Sequence, residues 1–95
     1  MSFIKNTDTL VEEKTLTYEE ILEVNRLIVH NDEINTFDWV IETLIDVCNH
    51  TWEQAEQCSL IIHHKGKAQV KHGRLEDLKP LREAICDRGI DATIE

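Results

Sequence analysis

The sequence predicts a small α+β domain of order β-α-α-β-α-β, an antiparallel three-stranded sheet with helices packed on one face. Three observations predict it. A short β-favouring run, Arg26-Leu-Ile-Val-His30, precedes two stretches of helical hydrophobic spacing. A later run, Lys67-Ala-Gln-Val-Lys71, alternates instead. All three glycines, Gly66, Gly73 and Gly89, fall where one pattern stops and another starts.

Residues 1–16 are polar and without periodicity, so residues 1–25 are expected to form a mobile N-terminal extension. Within it, Thr17-x-x-Glu20 has capping-box form, and a short helix over 18–24 is expected there. The folded domain is expected over 26–95, beginning with the strand 26–30. Phe37, Val40, Ile41, Leu44, Val47 and Cys48 then recur at helical spacing, and Asn49-His50 break the pattern. A second capping box, Thr51-Trp-Glu-Gln54, opens a helix on which Ala55, Cys58, Ser59 and Ile62 share a face. Gly66 closes that helix, and the alternating strand runs on toward Gly73. Proline lacks the N–H that a helix interior needs, which places Pro80 near the first turn of a third helix. Leu81, Ala84 and Ile85 would be its buried stripe and Gly89 its end, with Asp91-Ala-Thr-Ile-Glu95 as the last strand.

Ninety-five residues support one core, and the hydrophobic (41%) and charged (31%) fractions are those of an ordinary globular chain. No apolar run reaches a membrane-spanning length and MSFIKNTDTL has no signal-peptide core, so a cytoplasmic protein without membrane contact is expected. Three cysteines without a C-x-x-C motif read as reduced thiols. The net charge of −9 disfavours nucleic acid, whose phosphates require clustered Lys and Arg. That charge is uneven. Residues 1–64 hold 13 Asp/Glu against three Lys/Arg, which suits a cationic ligand or a basic partner surface.

The most informative segment is LIVHNDEINTFDW, where a strand runs into Asn31-Asp32-Glu33 just before a helix. A calcium loop needs a sharp-turn glycine and a terminal bidentate Glu, and both are missing. Zinc binding by Cys48, Cys58, His63 and His64 is poorly served, because Cys58 and His63 lie more than one helical turn apart and adjacent histidines diverge by about 100°. No Gly-rich turn exposes a cysteine nucleophile. No cofactor, metal or catalytic residue is therefore expected. A small metal or thiol enzyme is the disfavoured alternative. Taken alone, His63 at the end of an apolar helix is ordinarily a capping or core histidine.

Taken together, LIVHNDEINTFDWVIETL, AEQCSLIIHHKGKA and GIDATIE resemble the ClpS adaptor family of the bacterial N-end rule. The shared pattern is a strand, an Asn-Asp-Asp-like loop, a helix, a second helix ending in His-x-x-Gly-x-Ala, and a terminal Ala-Thr-apolar-Glu strand. It covers about residues 26–95. The resemblance implies a non-enzymatic adaptor, expected as a monomer. It would bind the free α-amino group and bulky apolar first residue (Phe, Tyr, Trp, Leu) of N-degron substrates and deliver them to a ClpA- or ClpC-like AAA+ unfoldase. The extension would serve delivery. It assigns Asn31, Asp32, Glu33 and His63 to the α-amino group, with Asp32 as a supporting acid. It assigns the pocket to Ile34, Asn35, Phe37, Val40, Ser59, Leu60, Ile62 and Ile90. The chemistry agrees: an ammonium seeks three acceptors, and an amide oxygen, a carboxylate and a neutral imidazole nitrogen supply them. Three departures stand out. Glu33 replaces the usual third-place Asp, Phe37 and Ser59 stand where methionines are frequent, and the segment between His72 and Gly89 is short. A degenerate pocket on a docking regulator is the alternative under the same resemblance.

Overall fold

A computed structural model describes residues 24–95. The expected extension and its 18–24 helix lie outside the described residues, apart from residues 24 and 25. The elements are β1 (Asn25–His30), α1 (Phe37–Cys48), α2 (Trp52–Lys65), β2 (Lys67–Gly73), α3 (Leu75–Asp87) and β3 (Ala92–Ile94). The sheet order is β2-β1-β3, and both pairings are antiparallel. β1 is central, so its side chains meet neighbours on both sides. Val29 pairs with Ala68 and with Ala92, and all three are buried. The β1–β2 register shifts between Leu27 and Ile28. β3 is short by label, but Glu95 N–H donates to Arg26 O and His30 N–H to Asp91 O, which carries the pairing across 91–95.

The helix boundaries follow from local chemistry. Thr36 caps α1, its hydroxyl accepting from Trp39 N–H at 3.1 Å. Asn49 ends α1 in the left-handed region (φ 60°), which asparagine tolerates better than most residues. The Thr51 box opens α2 reciprocally: Gln54 N–H donates to Thr51 Oγ1, and Thr51 N–H to Gln54 Oε1. Gly66 (φ 95°) closes α2, with its N–H on Ile62 O.

One core lies between the helices and a single sheet face. Leu27 and Val29 meet Ile41, Leu44 and Cys48 from α1, Ala55 and Ile62 from α2, and Leu78 and Ile85 from α3. The third helix differs from expectation. It starts at Leu75, so Pro80 lies inside it rather than in its first turn. Its N-cap Arg74 makes no side-chain cap bond, leaving no start signal to read. The acids Glu76 and Asp77 meet the positive helix end instead. The buried stripe is anchored one turn earlier, at Leu78 and Ile85, with Leu81 packed against it and Ala84 half-buried. Pro80 is exposed, so its ring meets solvent while the apolar stripe holds the helix to the core.

An interior proline forfeits a backbone bond and crowds the preceding turn. Pro80→Ala should therefore raise stability by about 1–2 kcal/mol, net of the unfolded-chain entropy that proline removes. The check is a higher urea midpoint at unchanged slope; an unchanged or lower midpoint would show that the helix bends to suit the proline.

Candidate functional site

The site forms where β1 ends. Asn31 N–H donates to Gly66 O at 2.8 Å, so the chain leaving β1 is fastened to the C-terminal turn of α2. That contact sets Asn31 beside the turn that carries His63. The loop then folds on itself around Asp32. Its Oδ1 accepts from Ile34 N–H and Asn35 N–H, both at 2.9 Å, and its Oδ2 accepts from Asn35 Nδ2 at 2.7 Å. The Asn35 N–H does most to hold the Asp32 carboxyl below its ordinary value of 3.8. Desolvation acts against it, and the Asn35 amide and Ile34 N–H add to the lowering.

A second fastening comes from the α3–β3 turn. Asn35 Nδ2 also donates to Gly89 O at 2.9 Å, and Trp39 Nε1 donates to Arg88 O at 3.0 Å. The Arg88 guanidinium lies 5.4 Å from the Trp39 ring and bonds Asp46 Oδ2 at 3.1 Å. Trp39, Arg88 and Gly89 thus brace the loop from behind. The sequence marked Gly89 only as a helix end and gave Trp39 and Arg88 no role. The available signal was an indole at a helix start, whose N–H needs an acceptor when half-buried.

Between the loop, α1 and α2 lies a pocket of about 650 Å³. It is lined by Asn31, Asp32, Glu33, Asn35, Phe37, Val40, Ser59, Ile62 and His63. Nine of the twelve expected site residues are brought together there. Three lie elsewhere, each for a local reason. Ile34 is 89% exposed, because the turn around Asp32 directs it to solvent. Leu60 is exposed on α2, about 100° around the helix from its buried neighbour Ser59. Ile90 is 2% exposed and belongs to the core beneath β3.

The pocket is polar at its rim and apolar within. Asn31, Glu33 and His63 are exposed, whereas Ser59 and Ile62 are buried and Val40 is half-buried. Asp32 spends its carboxylate on the loop, but the Asn31, Glu33 and His63 side chains make no hydrogen bond among the described residues. The His63 ring meets the His64 ring edge-on, with centroids 5.2 Å apart. Such a rim offers acceptors to a cation, and the interior offers apolar surface to whatever that cation carries.

Residues 23–92 match the family described as ATP-dependent Clp protease adaptor protein ClpS. The chain belongs to the ClpS adaptor family. A ClpS adapter protein from Streptomyces avermitilis is 30% identical over 89 residues, covering 87% of this chain and 85% of the relative. One from Campylobacter jejuni is 37% identical over 57 residues, covering 56% and 59%. The structure of Agrobacterium tumefaciens ClpS2 bound to L-phenylalaninamide superposes with a TM-score of 0.71 at 18% identity, covering 77% of this chain and 95% of that one. The last likeness establishes a shared fold.

None of the three cysteines lines the pocket, and two of them are shifted by burial. Burial pushes the Cys48 thiol up to about 11, with the Lys71 charge opposing and Cys58 adding to the rise. Burial raises Cys58 as well. A nucleophile needs the opposite shift. Among the described residues, no group of three or more His, Cys, Asp or Glu is placed to hold a metal ion. No described helix is long and apolar enough to cross a membrane.

The loop makes a prediction about pH. The lowered folded pKa of Asp32 means that its carboxylate adds stability above the ordinary value of 3.8, and that this is lost as pH falls through the folded value. Asp32→Ala should cost roughly 1 kcal/mol at neutral pH, the net worth of surface hydrogen bonds. The difference from wild type should shrink as acid protonates Asp32. Urea unfolding of both proteins at pH 7 and near pH 3 checks this, and a constant difference would contradict it.

Proposed function

We propose that this chain captures proteins by a free α-amino group and a bulky apolar first residue (Phe, Tyr, Trp or Leu) and delivers them to a Clp-family AAA+ unfoldase. One observation carries the reading most. Three unengaged acceptors, Asn31, Glu33 and His63, stand on the rim of a pocket whose interior is built from Val40 and Ile62, with the exposed Phe37 at its mouth. An ammonium donates up to three hydrogen bonds from one atom, and the side chain beside it must leave water. Phenylalaninamide, the ligand of the Agrobacterium relative, has that chemistry: a free α-amine next to a benzyl group. Asp32 acts in support by holding the loop in shape.

The forces suit a carrier that must let go. Burying one large apolar side chain is worth roughly 1.5–3 kcal/mol. Each charge-assisted bond adds roughly 1.5–3 kcal/mol. After the costs of association and ordering, micromolar affinity is expected. The reading assigns binding without chemistry: none of the three cysteines lines the pocket, and burial raises the Cys48 and Cys58 thiols. Residues 1–25 are assigned to delivery, and the partner to a ClpA- or ClpC-like unfoldase.

Peptides beginning with Phe should bind, and the same peptides N-acetylated should not, because acetylation removes the cation and leaves a neutral amide facing Glu33. Fluorescence anisotropy reads the difference, and equal binding of the two forms would refute the proposal. Asn31→Ala and His63→Ala should each weaken binding by roughly 1–3 kcal/mol. Both residues are exposed, so the thermal unfolding midpoint should stay close to wild type.

A further inference from the structure

Resting on the capture reading above, we infer that the Ser59 hydroxyl selects a first side chain carrying a polar atom at its tip, tyrosine foremost. Among the described residues, four buried side-chain atoms have no hydrogen-bond partner: Thr43 Oγ1, His50 Nδ1, Ser59 Oγ and Arg82 Nε. Of these residues, Ser59 alone lines this pocket. It is 2% exposed, so its hydroxyl is held within the wall rather than out in solvent. A helical serine ordinarily settles its hydroxyl on the carbonyl four residues back, here Ala55 O. Ser59 makes no such bond. As it stands that oxygen is fully covered, so it meets an entering group by turning about χ1 toward the pocket, and so turned it brings a donor and acceptor sites.

The spacing along α2 fits that role. His63, on the rim, is four residues from Ser59, roughly 6 Å along the helix axis. A first residue anchored by its ammonium at the His63 end would send its side chain down this length, between α2 and the Phe37–Val40 side of α1. The phenol oxygen of a tyrosine lies about as far from its own Cα. A leucine side chain stops well short, and a phenylalanine reaches the wall with carbon alone.

The consequence reverses the ordinary order. In a purely apolar pocket tyrosine binds no better than phenylalanine, because its hydroxyl leaves water without a replacement partner. Here the phenol can donate to Ser59 Oγ or accept from it, and one buried orphan satisfies another. An indole N–H can donate to the same oxygen, though from a different position on its ring.

The test uses the full chain and four peptides identical after the first residue, which is Tyr, Phe, Leu or N-acetyl-Tyr, against wild type and Ser59→Ala. Alanine favours helix, so the variant should fold. The readout is the ratio of Tyr to Phe affinity. Wild type should prefer Tyr by roughly three- to tenfold, the worth of one net hydrogen bond, and Ser59→Ala should bring the ratio to one or below. A wild-type ratio at or below one, or a preference that survives the substitution, would overturn the role of Ser59 while leaving amino-group capture standing. If the Phe peptide fails to bind wild type, or the acetylated peptide binds as well as its free-amine twin, the capture reading falls and this inference with it.

Discussion

The hydrogen bond from Asn31 N–H to Gly66 O is the contact on which the site depends. It joins two segments that meet from opposite directions, the end of the central strand and the last turn of a helix. The bond is available because Gly66 takes a φ of 95°, which turns the chain from α2 into β2 and leaves its carbonyl facing β1. A Cβ at Gly66 would meet nothing within 4 Å, so the requirement for glycine is one of backbone conformation and not of space. The glycine that ends α2 thereby brings Asn31 to the turn of His63, and two residues 32 apart in sequence share one rim.

Three consecutive polar residues then divide the work. Asp32 turns inward and accepts three hydrogen bonds from Ile34 and Asn35, which gives the loop a defined shape. Asn31 and Glu33, on either side, are left with open acceptors. A loop in which all three faced the ligand would have to order itself on binding and lose affinity to that cost. The bracing by Gly89, Arg88 and Trp39 works in the same sense, since it ties the loop to a turn whose next residue, Ile90, is buried in the core. Rigid support beneath an exposed rim is what a binding site that recognises one small charged group requires.

Much of this was legible in the sequence because it rests on local chemistry. Thr51 and Gln54 announce α2, Gly66 ends it, and the spacing of Phe37 to Cys48 matches α1 residue for residue. What escaped depends on contacts between distant segments. Leu75 opens α3 without a capping side chain, held by burial of Leu78, so the proline six positions into the helix looked like a start signal. Ile34 and Leu60 were assigned to the pocket wall by match to the family's positions, but a turn and a helical phase angle direct them to solvent. The brace between Trp39 and Arg88 spans 49 residues and has no sequence periodicity to reveal it. Family likeness pointed to the candidate site; the division between Asp32 and its neighbours came only from the geometry.

The most direct test is a crystal structure of the chain with a short peptide bearing a free N-terminal Phe. The α-amino nitrogen should lie within hydrogen-bond distance of the Asn31 amide oxygen, the Glu33 carboxylate and a His63 ring nitrogen, with the phenyl ring between Val40 and Ile62. Asp32 should keep its bonds to Ile34 and Asn35 in the complex. A peptide whose N-terminus lies away from Asn31 and His63, or whose ammonium is held by Asp32 after the loop has opened, would contradict this placement.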